Sequence, residues 1–164
     1  MKSRGKEFEK NFKDTVLTHV KDGFDVDIQR LYDVIGKKTI DQPADFVCYK
    51  YPNEIYVECK STHDSSFSYF TQPQYERLIK KAKHKGVKAG MLLWFVVQKK
   101  VFWLDIQWLQ AFYDSLHIKS VNVNKLLEYI KLNVYGVFEV EQKTIRINPE
   151  MNLKSLFEYI TQEN

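Results

Sequence analysis

Residues 42 to 60 read Gln-Pro-Ala-Asp-Phe-Val-Cys-Tyr-Lys-Tyr-Pro-Asn-Glu-Ile-Tyr-Val-Glu-Cys-Lys, and this stretch decides the predicted fold of the 164-residue chain. Its two halves, Phe46 to Tyr51 and Ile55 to Lys60, are rich in β-branched and aromatic residues. The Pro52-Asn53 dipeptide between them is a turn signal. The stretch is therefore predicted to form a β-hairpin, with Asp45 at the start of its first strand.

Charged side chains converge at one end of this predicted hairpin. Side chains alternate between the faces of a strand, so Glu58 and Lys60 point the same way, while Cys59 points into the opposite layer. If the two strands are antiparallel neighbours, Asp45 faces that pair across the ladder. Two carboxylates brought this close repel each other and resist losing water, which costs free energy unless a cation compensates.

A divalent metal ion is the simplest compensation for the Asp45 and Glu58 charges. Oxygen ligands with room for water suit Mg²⁺ or Mn²⁺, whereas zinc prefers His or Cys. Such a metal polarises a phosphodiester and lowers the pKa of a bound water, and Lys60 positions that water or stabilises developing negative charge. The chemistry indicated is hydrolysis of a phosphodiester.

The composition indicates a single folded domain, residues 1–164, with a core of ordinary size, because 44% of the residues are hydrophobic and 28% are charged. The net charge of +4 permits a polyanionic partner without demanding one. No apolar run approaches membrane-spanning length, and no signal peptide is recognised. The two cysteines, Cys48 and Cys59, lie inside the predicted strands and are expected to be reduced core residues of a cytoplasmic protein.

The rest of the chain shows alternating helix and strand signals. Helices are predicted at Lys6–Val20, Pro73–Lys85, Gln107–Leu116, Val123–Leu132 and Leu153–Ile160. Strands are predicted at Met91–Val97 and Val101–Ile106, a polar loop at Ser61–Ser68, and a terminal hairpin of Tyr135–Glu141 with Thr144–Ile147. Asp25–Ile35 fits a strand or a short helix, and we favour a strand that precedes the catalytic hairpin. This order predicts an α/β domain with a central mixed β-sheet flanked by helices.

Basic residues are densest around the helix that follows the hairpin. They are Arg77, Lys80, Lys81, Lys83 and Lys85, and Arg4 and Lys6 lie just before and at the start of the first predicted helix. Cations at a helix C-terminus are also favoured by the helix dipole, so a solvated helix face is the alternative interpretation. As a group these seven residues are candidate DNA phosphate contacts.

The chain resembles the PD-(D/E)xK nucleases. Pro43-Ala-Asp45 is followed, 58 − 45 = 13 positions on, by Glu58-Cys-Lys60. More narrowly, residues 4–9 (Arg-Gly-Lys-Glu-Phe-Glu), this hairpin, Ser66-Phe67 and residues 74–76 (Gln-Tyr-Glu) are similar to the RecU Holliday junction resolvases of Gram-positive bacteria and their phages. The similarity runs to about Ile106, and faintly through the 135–147 hairpin. It implies a restriction-endonuclease-like catalytic core of about residues 1–106, followed by C-terminal helices and a hairpin at about 107–164.

The resemblance implies a homodimeric endonuclease that needs Mg²⁺ or Mn²⁺ and resolves four-way DNA junctions in recombination. By position, it implies that Glu9, Asp45 and Glu58 are metal ligands, that Lys60 orients the attacking water, and that Gln74 is an accessory site residue. Asp33 is a spare candidate ligand, although a carboxylate in a turn is the plainer interpretation.

The chain departs from that family at two places. Family members carry a threonine where this chain has Pro43, so the hydroxyl is missing or is supplied by Thr39, Ser61 or Thr62. The cellular resolvases also carry a longer stalk before the catalytic hairpin, and Lys37–Gln42 is too short to form one. This favours a phage-type relative.

Two other functions stay open. One is a different nuclease of the same superfamily, restriction-like or repair-like, acting on duplexes or flaps. The other is a DNA-binding module without catalysis. For a dimer, the sequence offers two interfaces, the apolar strands of Met91–Ile106 or the aromatic helix at Trp108–Tyr113, and does not choose between them.

Overall fold

The computed structural model describes residues 4–32 and 42–162 of the chain. Its helices are α1 (Arg4–Lys21), α2 (Gln74–Ala82), α3 (Ile106–Leu116), α4 (Val123–Lys131) and α5 (Leu153–Thr161). Its strands are β1 (Asp27–Arg30), β2 (Phe46–Lys50), β3 (Asn53–Thr62), β4 (Ser66–Ser68), β5 (Val87–Phe95), β6 (Lys100–Asp105), β7 (Ser120–Asn122), β8 (Val137–Val140), β9 (Gln142–Ile145) and β10 (Asn148–Met151).

Six strands form one central mixed sheet, in the order β1-β2-β3-β5-β6-β8. The β3–β5 pair is parallel and the other neighbours are antiparallel. Parallel neighbours need a crossover connection, and β4 and α2 lie between β3 and β5 in the chain. The predicted central mixed sheet flanked by helices is confirmed.

Each face of the sheet is covered by helices. α1 and α5 share a core with Val57 and Cys59 of β3, and α2, α3 and α4 share a core with Tyr56 of the same strand. The alternation of side chains along β3 therefore decides which helices each residue meets. β5 and β6 lie inside the sheet with almost no exposed side-chain surface, so they are not available as a dimer interface.

The predicted pairing of Tyr135–Glu141 with Thr144–Ile147 in a terminal hairpin is wrong. β8 does not pair with the next strand; it adds to the open edge of β6, where Val137 and Val140 are buried. The real hairpin is β9 with β10, and β10 contains Pro149. A proline suggests a strand boundary, yet an edge strand tolerates one because its missing N–H faces no partner.

Two further boundaries differ from the predictions. The predicted polar loop 61–68 holds the end of β3 and the short strand β4, which pairs with β7 more than 50 residues later. α2 ends at Ala82, so Lys83 and Lys85 follow the helix rather than belonging to it. The predicted strand before the hairpin is confirmed as β1, whereas Asp33 and Thr39 lie outside the described residues. None of the helices in the described ranges is long and apolar enough to cross a membrane.

Candidate active site

Asp45 and Glu58 lie side by side at one end of the β2–β3 pair. The antiparallel register pairs Phe46 with Val57, so the residues flanking that pair meet across the ladder. The Asp45 Oδ2 atom accepts a hydrogen bond of 2.9 Å from the backbone N–H of Cys59, which fixes the carboxylate against β3. The Glu58 side chain is only 3% exposed. The structure therefore brings together the two carboxylates that the sequence analysis singled out.

Lys60 completes this group from the same strand. Its Nζ atom lies 2.8 Å from Glu58 Oε1, and its side chain is 23% exposed. Because residues two apart on a strand share a face, the partly exposed Lys60 lies on the same face of β3 as the buried Glu58 carboxylate. Cys59 points the other way into the core, as the alternation requires.

The Glu9 side chain lies near Asp45 and Glu58 but is held in an ion pair with Arg30. The Arg30 Nη2 atom forms an ion pair with Glu9 Oε2, and the guanidinium carbon lies 5.3 Å from the centre of the Phe46 ring. This arginine at the end of β1 was not predicted, because a single Arg in a short strand forms no motif. Its role appears only when α1 and β1 are folded onto the same edge.

Burial and mutual repulsion make the charged forms of Asp45 and Glu58 unfavourable. The pKa of Asp45 is raised to about 6 and that of Glu58 to about 7, and loss of water is the largest cause of both shifts. The Asp45 charge contributes to the rise at Glu58, and the Glu9 charge contributes to the rise at both residues. The positive charge of Lys60 lowers both pKa values without cancelling these effects. A perturbed acidic pair of this kind is typical of functional sites.

Gln74 is the first residue of α2, which covers the face of β3 that carries Tyr56. Its amide Oε1 atom is buried and accepts no hydrogen bond from the described part of the chain. Buried polar atoms are normally paired, so an acceptor of this kind is one that a water or a bound group satisfies.

The donor set fits a magnesium-like ion held by two carboxylates and water. Within residues 4–32 and 42–162, no cluster of three or more His, Cys, Asp or Glu side chains has the geometry to hold a metal ion. Mg²⁺ keeps several waters and commonly binds through one or two carboxylates plus substrate phosphate, so Asp45 and Glu58 suffice. Glu9, the third predicted ligand, is held by Arg30 instead.

The predicted DNA-contacting residues occupy different environments. Arg4 and Lys6 lie in the first turn of α1, upstream of Glu9. The Arg77 Nη1 atom donates to the backbone oxygen of Gln42, 3.2 Å away, and so braces the segment that leads to Asp45. Exposed lysines are Lys80, Lys83 and Lys85, and Lys81 lies 4.9 Å from the centre of the Tyr56 ring.

Two of the three hydroxyl groups that could replace the threonine of the RecU resolvases, those of Ser61 and Thr62, belong to the described residues. Thr62 Oγ1 accepts a hydrogen bond from the Asp64 backbone N–H and so belongs to a local turn. Ser61 is half-buried at the end of β3, next to Lys60.

Comparison with known proteins finds similar solved structures but no sequence relative. No protein-family model matches the chain, and no curated protein matches it. Among solved structures, it is similar to Hjc, a Holliday junction resolvase from the archaeal hyperthermophile Archaeoglobus fulgidus. The TM-score is 0.45 and the sequence identity 20%, over 63% of this chain and 78% of that chain.

Proposed function

We propose that this chain is a divalent-metal-dependent DNA endonuclease and that its substrate is the four-way junction. The observation that carries the proposal is the buried pair of Asp45 and Glu58 with the Lys60 ammonium group 2.8 Å from Glu58. Two carboxylates in this position weaken the fold unless they bind a cation. The resemblance of the Asp45 and Glu58-x-Lys60 motif to RecU resolvases supplies the substrate class.

In this mechanism, Asp45 and Glu58 would hold Mg²⁺ or Mn²⁺, which when bound would supply Lewis-acid polarisation of a phosphodiester and lower the pKa of a water. Asp45 is oriented by the Cys59 N–H and Glu58 by Lys60. Lys60 directs the attacking water and stabilises the negative charge that develops on the phosphoryl oxygens. Hydrolysis forms a bond from the water oxygen to phosphorus and breaks one phosphorus–oxygen ester bond, and a proton from the water ends on the departing oxygen, which leaves as a hydroxyl group.

Two further residues support this group. Glu9 adds negative charge near the pair, as its effect on both pKa values shows, while Arg30 limits its freedom to bind the metal. The buried amide oxygen of Gln74 is an acceptor for the water or for a substrate group. Arg4, Lys6 and the lysines that follow and flank α2 contact DNA phosphates in this proposal.

Resolution of a junction needs two nicks in strands of the same polarity, so the proposed enzyme is a homodimer with two sites related by a two-fold axis. Of the two dimer interfaces considered, the one that remains is the aromatic helix α3. Cys48 and Cys59 are both free and buried, as expected for an enzyme that acts in the reducing cytoplasm of a bacterium or a phage-infected cell.

The test compares a labelled four-way junction with linear duplex and flap DNA of matched sequence, in Mg²⁺, in Mn²⁺ and with chelator. We expect paired nicks that are confined to the junction and lost with chelator. Cleavage of duplex or flap DNA instead would place the protein with the restriction-like or repair-like nucleases. Binding without cleavage under every condition would leave only the non-catalytic DNA-binding function.

A further inference from the structure

The central sheet has two outer strands, and the outer edge of one of them, β8, is open. The sheet order places β1 and β8 at its two ends. β8 pairs with β6 on one side, and within residues 4–32 and 42–162 no strand pairs with its other side. An outer strand presents unpaired N–H and C=O groups to which a further strand can add. The open edge of β8, residues Val137–Val140, is therefore a candidate interaction surface.

Hydrogen bonds show which residues of β8 present their main chain outward. The Gly136 carbonyl accepts a hydrogen bond of 2.8 Å from β6, so the alternation of an antiparallel ladder turns the main chain of Val137 and Glu139 away from β6. The Glu141 carbonyl, next in that series, accepts from the Asn152 N–H instead. In the described part of the chain, nothing hydrogen-bonds to the outward N–H and C=O groups of Val137 and Glu139.

The two outer strands differ in how they discourage pairing. β1 reads Asp-Ile-Gln-Arg, and its Asp27 and Gln29 side chains are exposed. β8 reads Val-Phe-Glu-Val and holds neither the lysine nor the proline that commonly protects an edge. Its one charged residue, Glu139, forms an ion pair with Lys100 of β6. β8 thus offers an apolar edge whose single charge is already compensated.

A cavity of about 870 Å³ opens beside this edge and is lined by all four residues of β8. α4 packs on the face of the strand that carries Val137, and α5 packs on the face that carries Val140. On the α5 side, the Tyr159 ring stacks on Phe138, with 4.6 Å between ring centres, and on Tyr135, with 5.9 Å. The Tyr135 side chain is 43% exposed. An extended segment in this cavity therefore meets both unpaired main chain and aromatic surface.

We infer that the occupant is the β8 strand of a second copy of this chain, added antiparallel about a two-fold axis beside Phe138. This register pairs Val137 of one copy with Glu139 of the other, so all their outward N–H and C=O groups are hydrogen-bonded. The two Phe138 residues then oppose each other in a non-hydrogen-bonded pair, where side chains come closest, and extend the ring stack across the axis. Because Lys100 compensates Glu139 within each copy, the second copy brings no unpaired charge. The edge is thus complementary to itself.

This inference rests on the proposed function, which needs a homodimer, and names the surface that the two copies share. Strand spacings of about 4.8 Å, three within each copy and one between the copies, put the two β3 strands about 34 Å apart, close to one turn of duplex DNA. A two-fold axis perpendicular to the joined sheet keeps the face that bears Glu58 and Lys60 on the same side in both copies. Both candidate sites therefore face one side of the dimer, which suits two nicks in one junction.

Sedimentation equilibrium over a concentration series tests this interface. Glu139→Pro removes an outward N–H and leaves the β6 ladder intact, so we expect the dimer dissociation constant to rise at least about tenfold with near-ultraviolet circular dichroism unchanged. Glu139→Gln, which removes the charge but keeps the N–H, is the matched control and should dimerise as the wild type does. Leu116→Glu, at a 56% exposed position of α3, tests the other interface and should also dimerise.

Two further measurements do not depend on how the proline variant folds. In the wild type, the Val137 and Glu139 amide protons should exchange at least about tenfold more slowly above the dissociation constant than below it. Phe138→Cys should cross-link two copies under mild oxidation, because Cα atoms of a non-hydrogen-bonded pair lie about 4.5 Å apart, within reach of a disulfide. Gln29→Cys, exposed on the outer strand β1, is the matched control and should not cross-link.

A dimer that survives Glu139→Pro, with Val137 and Glu139 amides that exchange at one rate at every concentration, would overturn the inference. Its loss in Leu116→Glu would assign the dimer to α3. A wild-type chain that stays monomeric at every concentration would also overturn the inference. A dimer paired through β8 that cuts no DNA would overturn the proposed function alone, and a junction-cutting dimer paired through α3 would overturn the inference alone.

Discussion

Asp45 and Glu58 are costly to hold together when no cation lies between them. The motif and the alternation of β3 were enough to predict this pair and Lys60 from sequence. Arg30 was not predictable, because its ion pair with Glu9 joins residues 21 positions apart on two separate elements. Contacts between residues of one hairpin can thus be predicted from the sequence, whereas contacts that form only when separate elements pack together cannot.

The raised carboxyl pKa values make stability depend on pH. In the unfolded chain these groups titrate near 3.8 and 4.5, and in the fold near 6 and 7. The folded state therefore binds more protons between about pH 4 and 7, and stability falls as pH rises through that window. With chelator present at pH 8, Asp45→Asn should unfold at a higher temperature than wild type, because the substitution raises the free energy of unfolding by about 2 kcal/mol. This difference should shrink at pH 4.

Calorimetric melting curves at the two pH values check this prediction. Glu54→Gln, which changes an exposed carboxylate on the same strand, should show no such pH-dependent gain. Equal melting temperatures for Asp45→Asn and wild type at both pH values would show that the pair of carboxylates does not destabilise the fold.

Glu9 should matter less to cleavage than Glu58. Arg30 holds one Glu9 oxygen, whereas Glu58 is buried against Asp45 and Lys60. We expect Glu9→Gln to lower single-turnover cleavage about tenfold and Glu58→Gln about a thousandfold. Equal losses in the two variants would mean that Glu9 leaves Arg30 and binds the metal as a full ligand.

Among the helices and strands, those with long apolar sequences were predicted, whereas the three-residue strands β4 and β7 were not. α1, the β2–β3 hairpin, β6 and the later helices were found within about two residues of their predicted bounds, whereas β5 begins at Val87, four residues before the predicted Met91. β4 and β7 are three residues each and polar, and they exist because they pair across more than 50 positions. The partner of β8 likewise depends on the open edge of β6, which no local pattern reveals.

The cations near α2 should divide into two functional groups. Lys80 and Lys83 are exposed, whereas Arg77 is hydrogen-bonded to Gln42 in the segment before Asp45. In an Asp45→Asn background, Lys80→Gln with Lys83→Gln should reduce the slope of log affinity against log salt by up to about 2. Arg77→Gln should instead lower the melting temperature.

Fluorescence anisotropy across a salt series measures that slope, and Lys125→Gln, on α4, is an exposed control. A salt slope unchanged by the double substitution would remove α2 from the DNA interface.

Considered as one body, the chain does not separate at residue 106. β8 completes the central sheet on β6, and Leu153 and Phe157 of α5 pack in the same core as Phe8 of α1. A chain that ends after residue 106 would expose that core, so we expect it to give no cooperative unfolding transition and weak near-ultraviolet circular dichroism. A cooperative transition in the shortened chain would show instead that the catalytic core folds alone.

The central claim is that Asp45 and its neighbours hydrolyse DNA with a divalent metal, and the single-turnover cleavage rate of a four-way junction in Mg²⁺ tests it most directly. Asn keeps an oxygen to accept the Cys59 N–H bond but loses the charge that holds the metal. We expect Asp45→Asn to cut at least about a thousandfold more slowly, since the metal supplies several kcal/mol of stabilisation, and Glu54→Gln to cut at the wild-type rate. Cleavage by Asp45→Asn at the wild-type rate would contradict the claim.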